Sequence, residues 1–268
     1  MDILTPVLLG IVEGLTEYLP VSSTGHLILA SALLGYDAET WAVFNVVIQL
    51  GAILAVVVLY WRTFWAVLMG MVRRDPKAWR FVRNVAVGFM PAALIGLALH
   101  SQVEALLGRA DVVAMALVIG GVAILLVERF AKPGDVVGVA DMPLRTVIGV
   151  GLIQCISMVP GVSRSGATIL GAVSLGVERR TAAEFSFFLA IPTMLGATTL
   201  ELAKNHEALT ASGGVGWGSI AIGFVVSFVV AIAVIRAFVA FVGRHGFAPF
   251  GWYRIAAGAL ALVWLANR

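Results

Sequence analysis

The sequence predicts an all-α polytopic membrane protein. Of its 268 residues, 60% are hydrophobic and only 12% are charged, whereas a soluble domain carries about a quarter charged residues. Six long apolar runs, each with at most one charged residue, approach the roughly 20 residues that a membrane-spanning helix needs. Two further apolar regions are broken in the middle by Gly, Pro and Ser. The composition therefore excludes a soluble globular domain and favours a single integral membrane domain over residues 1–268.

These six apolar runs are the predicted membrane spans. They cover residues 40–60, 84–101, 112–127, 182–200, 218–241 and 250–266. The two broken regions, 3–35 and 143–175, each have the pattern of two short helices that meet at a non-helical turn. Such backbone at membrane depth occurs only where it is buried in protein or lines a water-filled cavity. We therefore predict two re-entrant helical hairpins in addition to about six transmembrane helices.

The two halves of the sequence resemble each other at an offset of 141 residues. The segment from Gly10 to Gly25 aligns with the segment from Gly151 to Gly166 without a gap. Each half holds one hairpin and three spans, and an odd number of spans places the second half upside down in the membrane. The sequence thus predicts an inverted-topology repeat, with repeat 1 over about residues 1–135 and repeat 2 over about residues 143–268.

Loop charges orient the chain in the membrane. The basic residues between the first two spans assign that loop to the cytoplasm by the positive-inside rule; they are Arg62, Arg73, Arg74, Lys77, Arg80 and Arg83. The same count places Arg179, Arg180, Arg244 and His245 inside, and Asp37, Glu39 and the stretch from Lys204 to Gly216 outside. Both termini then face outward. The two hairpins enter from opposite faces, so their tips are expected to meet near the midplane.

Two acidic residues stand in the first hairpin. Glu13 and Glu17 are four residues apart, on one face of a helix that should lie in the membrane. A carboxylate at membrane depth costs roughly 2.5–3.5 kcal/mol, and like charges at this spacing repel. A divalent cation, an arginine or a bound proton must offset this cost. Carboxylate oxygens suit Mg²⁺ or Ca²⁺, so both residues are candidate metal ligands; a purely structural carboxylate pair is the alternative.

Hydroxyl groups and a histidine follow Pro20 in the same hairpin. Ser22, Ser23 and Thr24 are suited to cap the next short helix, whose start also offers free backbone N–H groups to an anion. His26 lies three residues beyond Ser23, close enough on one helical turn for the pair to act as nucleophile and base. A packed histidine without a catalytic role is the alternative.

The tip of the second hairpin has a phosphate-binding composition. The segment from Pro160 to Thr168 reads PGVSRSGAT, with one arginine among hydroxyls and glycines. Arg164 can offer a bidentate fork to phosphate oxygens, and the glycines let backbone N–H groups approach. Ser163, Ser165 and Thr168 add donors, although the segment is not a Walker loop. The alternative is that Arg164 only neutralises an acid of the first hairpin.

These motifs resemble those of the undecaprenyl pyrophosphate phosphatase family, the bacitracin-resistance membrane phosphatases of bacteria. The similarity rests on EGLTE at Glu13–Glu17, PVSSTGH at Pro20–His26 and PGVSRSGAT at Pro160–Thr168, and it extends over essentially the whole chain. It implies a metal-dependent enzyme that removes the terminal phosphate of a C55 isoprenoid diphosphate, which recycles the lipid carrier of cell-wall synthesis. It also implies a bacterial inner-membrane location with the active site facing the periplasm.

The resemblance assigns roles to individual residues. Glu13 and Glu17 take metal or acid/base roles, Ser23 and His26 act at the reacting phosphorus, and Arg164 clamps the diphosphate. We expect Ser23 to be the nucleophile with His26 as its base; attack by His26 itself or by metal-activated water stays open. The other candidates are expected to bind substrate: Ser22, Thr24, Gly25, Gln49, Ser163, Ser165, Gly166 and Thr168. For Gln49, bonding across helices is an equal alternative.

The expected cofactor is Mg²⁺ or Ca²⁺. The expected partners are the polyprenyl diphosphate substrate and membrane lipids; no nucleic acid is expected, and a homodimer is left open. A polyprenyl-phosphate or anion transporter on the same inverted-repeat scaffold is the competing function. The halves differ, because the first supplies two acids and a histidine and the second an arginine and hydroxyls. This asymmetry favours chemistry over transport.

Overall fold

The computed structural model describes residues 3–35, 38–107, 109–204 and 215–267. These ranges hold twelve α-helices: α1 Leu4–Thr16, α2 Ser23–Leu34, α3 Ala38–Leu59, α4 Trp61–Val72, α5 Pro76–Ala98, α6 His100–Leu107, α7 Ala110–Phe130, α8 Leu144–Gln154, α9 Arg164–Ser174, α10 Arg179–Lys204, α11 Trp217–His245 and α12 Ala248–Ala266. Short 3-10 helices cover Val139–Asp141 and Cys155–Met158. Asp37 and residues 205–214, which the charge count assigned to the outer side, lie outside the described residues.

The long helices confirm the predicted membrane fold. Among the described residues, α5, α7, α10, α11 and α12 are each long and apolar enough to cross a membrane, and α3 with α4 adds a sixth span if that bent pair counts as one. Large apolar side chains cover their outer faces, and Leu94, Ile119 and Leu260 are each more than 60% exposed. Apolar surface of this extent requires lipid around it. The chain is therefore an integral membrane protein.

Each broken apolar region forms two short helices, as predicted. The first region contains α1 and α2, with 13 and 12 residues, and the second contains α8 and α9, with 11 residues each. At 1.5 Å per residue, none of them spans a hydrocarbon core about 30 Å thick. The insertion of the two hairpins from opposite faces and the repeat boundaries remain predictions.

Close packing against glycines docks the first helix of each hairpin. A Cβ atom at Gly10 of α1 would lie 2.7 Å from the carbonyl oxygen of Gly223 in α11, and one at Gly151 of α8 would lie 2.6 Å from that of Gly88 in α5. A side chain at either position would overlap the neighbouring backbone, so small residues are needed for this approach. Gly10 and Gly151 are equivalent at the 141-residue offset. Both hairpins therefore dock in the same way.

The segment between the first two predicted spans contains a helix that the sequence analysis treated as a loop. Helix α4 follows α3 after Tyr60 with a bend of 68°. Asp75 then starts α5, because its carboxylate accepts a hydrogen bond from the Lys77 N–H at 2.9 Å. Pro76 occupies the first helical turn, where its missing N–H costs nothing. For these reasons α5 begins at Pro76 rather than at residue 84.

Candidate active site

In each hairpin, one serine with positive φ caps the start of the second helix. Ser22 has φ 73° and Ser163 has φ 77°, and the two positions are equivalent at the 141-residue offset. The Ser22 hydroxyl accepts the Gly25 N–H at 3.3 Å, and the Ser163 hydroxyl accepts the Gly166 N–H at 3.0 Å. Residues other than glycine adopt positive φ only where the surrounding structure holds them there, commonly at functional sites. The two turns thus share one cap geometry.

Arg164 joins the tips of the two hairpins. Its Nη2 donates to Oε1 of Glu17 at 2.7 Å, and its Nη1 donates to the carbonyl oxygen of Ser186 at 2.9 Å. The guanidinium also lies 5.9 Å from the ring centre of Tyr18. The side chains of Arg164 and Glu17 are only 12% and 6% exposed, so little water screens their attraction. Arg164 therefore neutralises Glu17, the role that the sequence left as the alternative.

The hydroxyl of Ser23 donates to the second carboxylate oxygen of Glu17. Glu17 thus accepts from Arg164 on one oxygen and from Ser23 on the other. A serine whose hydroxyl proton is held by a carboxylate has the arrangement of a nucleophile with its base. The sequence analysis assigned that base to His26 instead.

The structure corrects the predicted pairing of His26 with Ser23. The Nδ1 atom of His26 lies 2.7 Å from the carbonyl oxygen of Ser22, and its Nε2 atom lies 2.7 Å from the hydroxyl of Tyr253. The two rings are stacked with centroids 5.6 Å apart. A carbonyl oxygen can accept but not donate, so Nδ1 carries the proton of that hydrogen bond and Nε2 can accept from Tyr253. The imidazole therefore links the first turn to α12 and does not face Ser23.

Glu13 is fully buried one helical turn before Glu17. Among the described residues, no donor group contacts either of its carboxylate oxygens, and the Glu17 carboxylate is close enough to share a proton with it. A buried, unpartnered carboxylate requires a proton or a cation. Within the described residues, no three His, Cys, Asp or Glu side chains are grouped to hold a metal. The residues fit a hard cation such as Mg²⁺, which uses one or two carboxylates together with substrate phosphates and water.

A cavity of about 510 Å³ lies beside the paired side chains of Glu17 and Arg164. Seven of the predicted site residues line it: Glu17, Ser22, Ser23, Thr24, Gln49, Ser163 and Arg164. Apolar residues of α5 and α10 form another part of the wall; they include Phe89, Ala92, Ala93, Gly96, Ala197 and Leu200. The lining also includes His100, Glu104 and Glu201. A cavity with one polar end and one apolar wall suits an amphipathic ligand.

The remaining predicted residues lie away from the cavity wall. Glu13 and His26 have the positions given above. The Ser165 hydroxyl donates to a backbone carbonyl of the first hairpin at 2.8 Å, and the Thr168 hydroxyl donates to a serine hydroxyl of α10 at 2.7 Å. Gly25 and Gly166 donate their N–H groups to the capping serines. In this structure Ser165, Thr168 and the two glycines hold the turns, because internal contacts use their polar groups.

Two residues outside the predicted site also belong to its surroundings. Gln154, the repeat equivalent of Glu13, lines the cavity and is 1% exposed. Neither of its amide atoms has a hydrogen-bond partner among the described residues. The sequence feature that pointed to Gln154 was its alignment with Glu13. Arg254 in α12 is also 1% exposed. Its signal was a lone charge inside the span predicted at residues 250–266, since ionisable residues at membrane depth are usually functional.

Comparison with known proteins gives one consistent result. The family model described as bacitracin resistance protein BacA matches residues 6–260. A protein of Novosphingobium aromaticivorans named undecaprenyl-diphosphatase is 67% identical over 267 residues, which cover 99% of each chain. Proteins of the same name from Rhizorhabdus wittichii and Sphingopyxis alaskensis are 61% and 58% identical. Those alignments cover 100% and 99% of this chain and 99% and 98% of the relatives.

Proposed function

Because this chain belongs to the bacitracin resistance protein BacA family, we propose that it is an undecaprenyl-diphosphatase. It hydrolyses a C55 isoprenoid diphosphate to the monophosphate and inorganic phosphate, which recycles the lipid carrier of bacterial cell-wall synthesis. The observation that carries this beyond similarity is the contact series from Ser23 through Glu17 to Arg164 on the wall of an amphipathic cavity. Ser23, Glu17 and Arg164 therefore stand together in an order that would suit a nucleophile, its base and a phosphate-binding cation.

The polar end of the cavity is suited to a diphosphate. Helices α2 and α9 both start there, and Thr24 and Arg164 in their first turns line the wall. Helix N-termini carry partial positive charge and free N–H groups, which favour phosphate. Gln154 adds a buried amide with unused donors and an unused acceptor. The headgroup would lie among these groups, and the prenyl chain would follow the apolar wall.

In the proposed reaction, the Ser23 hydroxyl oxygen attacks the terminal phosphorus. Its proton passes to Glu17, while the bond from that phosphorus to the bridging oxygen breaks and its electron pair leaves on the lipid monophosphate. Arg164 moves from Glu17 to the phosphate oxygens, which frees Glu17 to act as the base. The oxygen of a water molecule then attacks the same phosphorus while the bond from phosphorus to the Ser23 oxygen breaks. Glu17 returns its proton to the serine oxygen, one proton of the water passes to solvent, and inorganic phosphate leaves.

We also propose that Glu13 and Glu17 hold Mg²⁺ or Ca²⁺. When bound, such an ion would neutralise charge on the transferring phosphoryl group. Chelation with EDTA is expected to remove most phosphate release, and either ion should restore it. Glu13→Gln keeps the side-chain volume but removes one charged ligand, so it should raise the cation concentration needed for half-maximal activity. An unchanged cation dependence in this variant would contradict the assignment.

The direct test of the function is phosphate release from undecaprenyl diphosphate by the purified protein in detergent with Mg²⁺ or Ca²⁺. We expect one phosphate per lipid, with undecaprenyl monophosphate as the other product. A parallel measurement follows lipid movement across vesicles that contain the protein. If lipid moves and no phosphate appears, the transporter hypothesis replaces the enzyme.

We propose that the protein lies in the bacterial inner membrane with the cavity open to the periplasm. Support comes from α5, whose N-terminal end carries exposed Arg80 and Arg83 and whose C-terminal half lines the cavity. The positive-inside rule assigns the basic end to the cytoplasm, so the cavity would open outward. In a Cys155→Ser background, a membrane-impermeant maleimide added to intact spheroplasts should label Val103→Cys and not Arg73→Cys. The reverse pattern would invert the topology.

The apolar wall predicts an effect on substrate binding. Gly96 lines the cavity, and a Cβ atom there would contact only the Met158 methyl at 3.4 Å, so Gly96→Leu should project into the space for the prenyl chain. Displacing two methylene contacts at about 0.8 kcal/mol each would raise KM about tenfold with little change in kcat. Steady-state kinetics with C55 and C15 diphosphates would measure this effect, which should be smaller for the short chain.

Ala98→Leu is the matched control, because Ala98 is an exposed residue on the same helix outside the cavity lining. It should leave both kinetic constants unchanged. Equal KM values for wild type and Gly96→Leu with the C55 substrate would show that the chain follows another path.

A further inference from the structure

Arg254 connects both hairpin tips to the body of the protein. The side chain is almost completely buried, and all its hydrogen bonds go to backbone carbonyl oxygens. The Nη1 atom donates to the carbonyl oxygens of Pro20 at 3.1 Å and Val162 at 2.9 Å. The Nη2 atom donates to those of Gly161 at 2.7 Å and Ala116 at 2.9 Å. The Nε atom donates to that of Leu117 at 3.3 Å. A guanidinium has five N–H donors. The whole donor set of Arg254 is therefore used inside the protein.

The five accepting carbonyls belong to three separate parts of the chain. Pro20 is in the turn of the first hairpin, three residues before Ser23. Gly161 and Val162 are in the turn of the second hairpin, just before Arg164. The other two carbonyls belong to the middle of α7. A single rigid, planar group thus fixes both turns against one helix.

The burial of this cation is not explained by an ion pair. In the part of the chain that the structure describes, the hydrogen-bond acceptors of Arg254 are all carbonyl oxygens, whereas the buried cation Arg164 is paired with the carboxylate of Glu17. Burial of a charge without a counter-charge is costly even when its hydrogen bonds are satisfied. A neutral residue would avoid that cost. Only arginine, however, supplies five donors in a fixed plane.

From this geometry we infer that Arg254 is a positioning residue for phosphoryl transfer. It sets the distance between the two turns, and with it the placement of Ser23 and Glu17 relative to Arg164. It does not touch the substrate, since it has no free donor. The inference rests on the proposed phosphatase function, because the distance matters only if nucleophile and phosphate clamp must act on one phosphorus atom.

The variants Arg254→Lys and Arg254→Met test the inference. Both should lower kcat about 100-fold, the cost of a displacement of about 1 Å at a reacting centre, while KM for undecaprenyl diphosphate changes less than threefold. Lysine should not rescue, because its ammonium is a point charge with three donors instead of a planar fork. Kinetics are measured at a temperature where thermal unfolding shows each variant to be folded.

Asn84→Ala is the matched control for a lost buried connection. The Asn84 side chain is fully buried, and its Nδ2 donates to the carbonyl oxygens of Val139 and Met142 at 2.9 and 3.0 Å. These contacts tie α5 to a segment that does not line the cavity. The variant should unfold at a lower temperature and keep its kcat when folded. This result is expected when the lost hydrogen bonds contribute to stability alone.

Gly120→Ala provides a second route that leaves Arg254 in place. A Cβ atom at Gly120 in α7 would overlap Nη2 and Cζ of Arg254, so the alanine should displace the guanidinium and lower kcat in the same manner. Gly149→Ala is its control, because the added carbon would lie 2.8 Å from a methyl of Leu175, at the far end of the second hairpin. It introduces a similar overlap without touching the turns.

The outcomes separate this inference from the proposed function. If the wild-type protein releases no phosphate, the proposed function is wrong. Active wild type with folded Arg254→Lys, Arg254→Met and Gly120→Ala variants that keep kcat within threefold would overturn only the positioning role. A rise in KM at constant kcat would also overturn it, since that pattern indicates a contact with the substrate. If the Arg254 variants cannot be obtained folded, the result for Gly120→Ala decides.

Discussion

Replacing Arg164 with alanine is expected to lower kcat/KM for undecaprenyl diphosphate by at least about 10³-fold, the loss seen when a phosphate-stabilising arginine is absent. Two effects add. The phosphate oxygens lose their bidentate donor, and Glu17 becomes a buried carboxylate without its cation, which is more costly than an intact pair. Phosphate release under single-turnover conditions, with protein in excess over lipid, measures the effect on chemistry.

Arg164→Lys separates these two contributions. Arg164 contacts Glu17 and the Ser186 carbonyl through two nitrogens of one planar group. Lysine keeps a positive charge near Glu17 but has no planar group that could make both contacts. We expect it to recover protein stability more than activity. Arg74→Ala is the control for general loss of positive charge, because Arg74 is exposed on the basic segment between α4 and α5, and it should retain nearly full activity. Equal losses in the Arg164 and Arg74 variants would exclude Arg164 as the phosphate clamp.

Removal of the Ser23 hydroxyl is expected to have a comparable effect. Ser23→Ala should lower kcat by at least about 10³-fold, as removal of a serine nucleophile does in other enzymes. The variant should still bind the lipid, because the clamp and the apolar wall are intact. Acid-quenched wild type should carry phosphoserine at position 23, detectable by mass spectrometry of its peptides, and Ser23→Ala should carry none.

Glu17→Gln tests the proposed role of Glu17 as the base for Ser23. Glutamine is close in volume, but its amide is a poor proton acceptor, so formation of phosphoserine at position 23 should slow by about 10²- to 10⁴-fold, the usual contribution of a general base. Phosphohistidine at His26 would overturn the assignment of Ser23. Turnover by Ser23→Ala within about tenfold of wild type would instead favour direct attack by water, since loss of a nucleophile costs far more than that.

The sequence predicted the elements of the site because local chemistry determines them. The hydroxyls of Ser22–Thr24 predicted a helix start in the first hairpin, and Ser22 is its N-cap in the structure. The equivalent Ser163, which was predicted only as a phosphate donor, is the N-cap of α9. The Gly and Pro interruptions predicted non-helical turns, and these turns bring Glu17 and Arg164 into contact. The offset of 141 residues indicated that both hairpins would share one backbone geometry. Hairpin geometry is encoded over a few neighbouring residues, so a single sequence is enough to recognise it.

The partners of individual side chains were less predictable. Spacing on one helical turn suggested that His26 faces Ser23, but the ring turns to Tyr253, more than two hundred residues later in the chain. Hydroxyl content suggested that Ser165 and Thr168 bind phosphate, but both donate to groups within the protein. Sequence spacing gives the face of a helix, whereas the helix packed against that face decides what each side chain meets.

The sequence by itself determined that this chain is a membrane protein with two polar hairpins and that acid, hydroxyl and arginine chemistry is concentrated in them. Composition and local spacing carry that information. Only the tertiary structure decided that Glu17 is the group shared by Ser23 and Arg164, and that Arg254 holds the two turns together. The reason is physical: the contacts of Arg164 with Glu17 and of Arg254 with the two turns join segments more than ninety residues apart, and their geometry depends on how α7, α9 and α12 pack around the first hairpin.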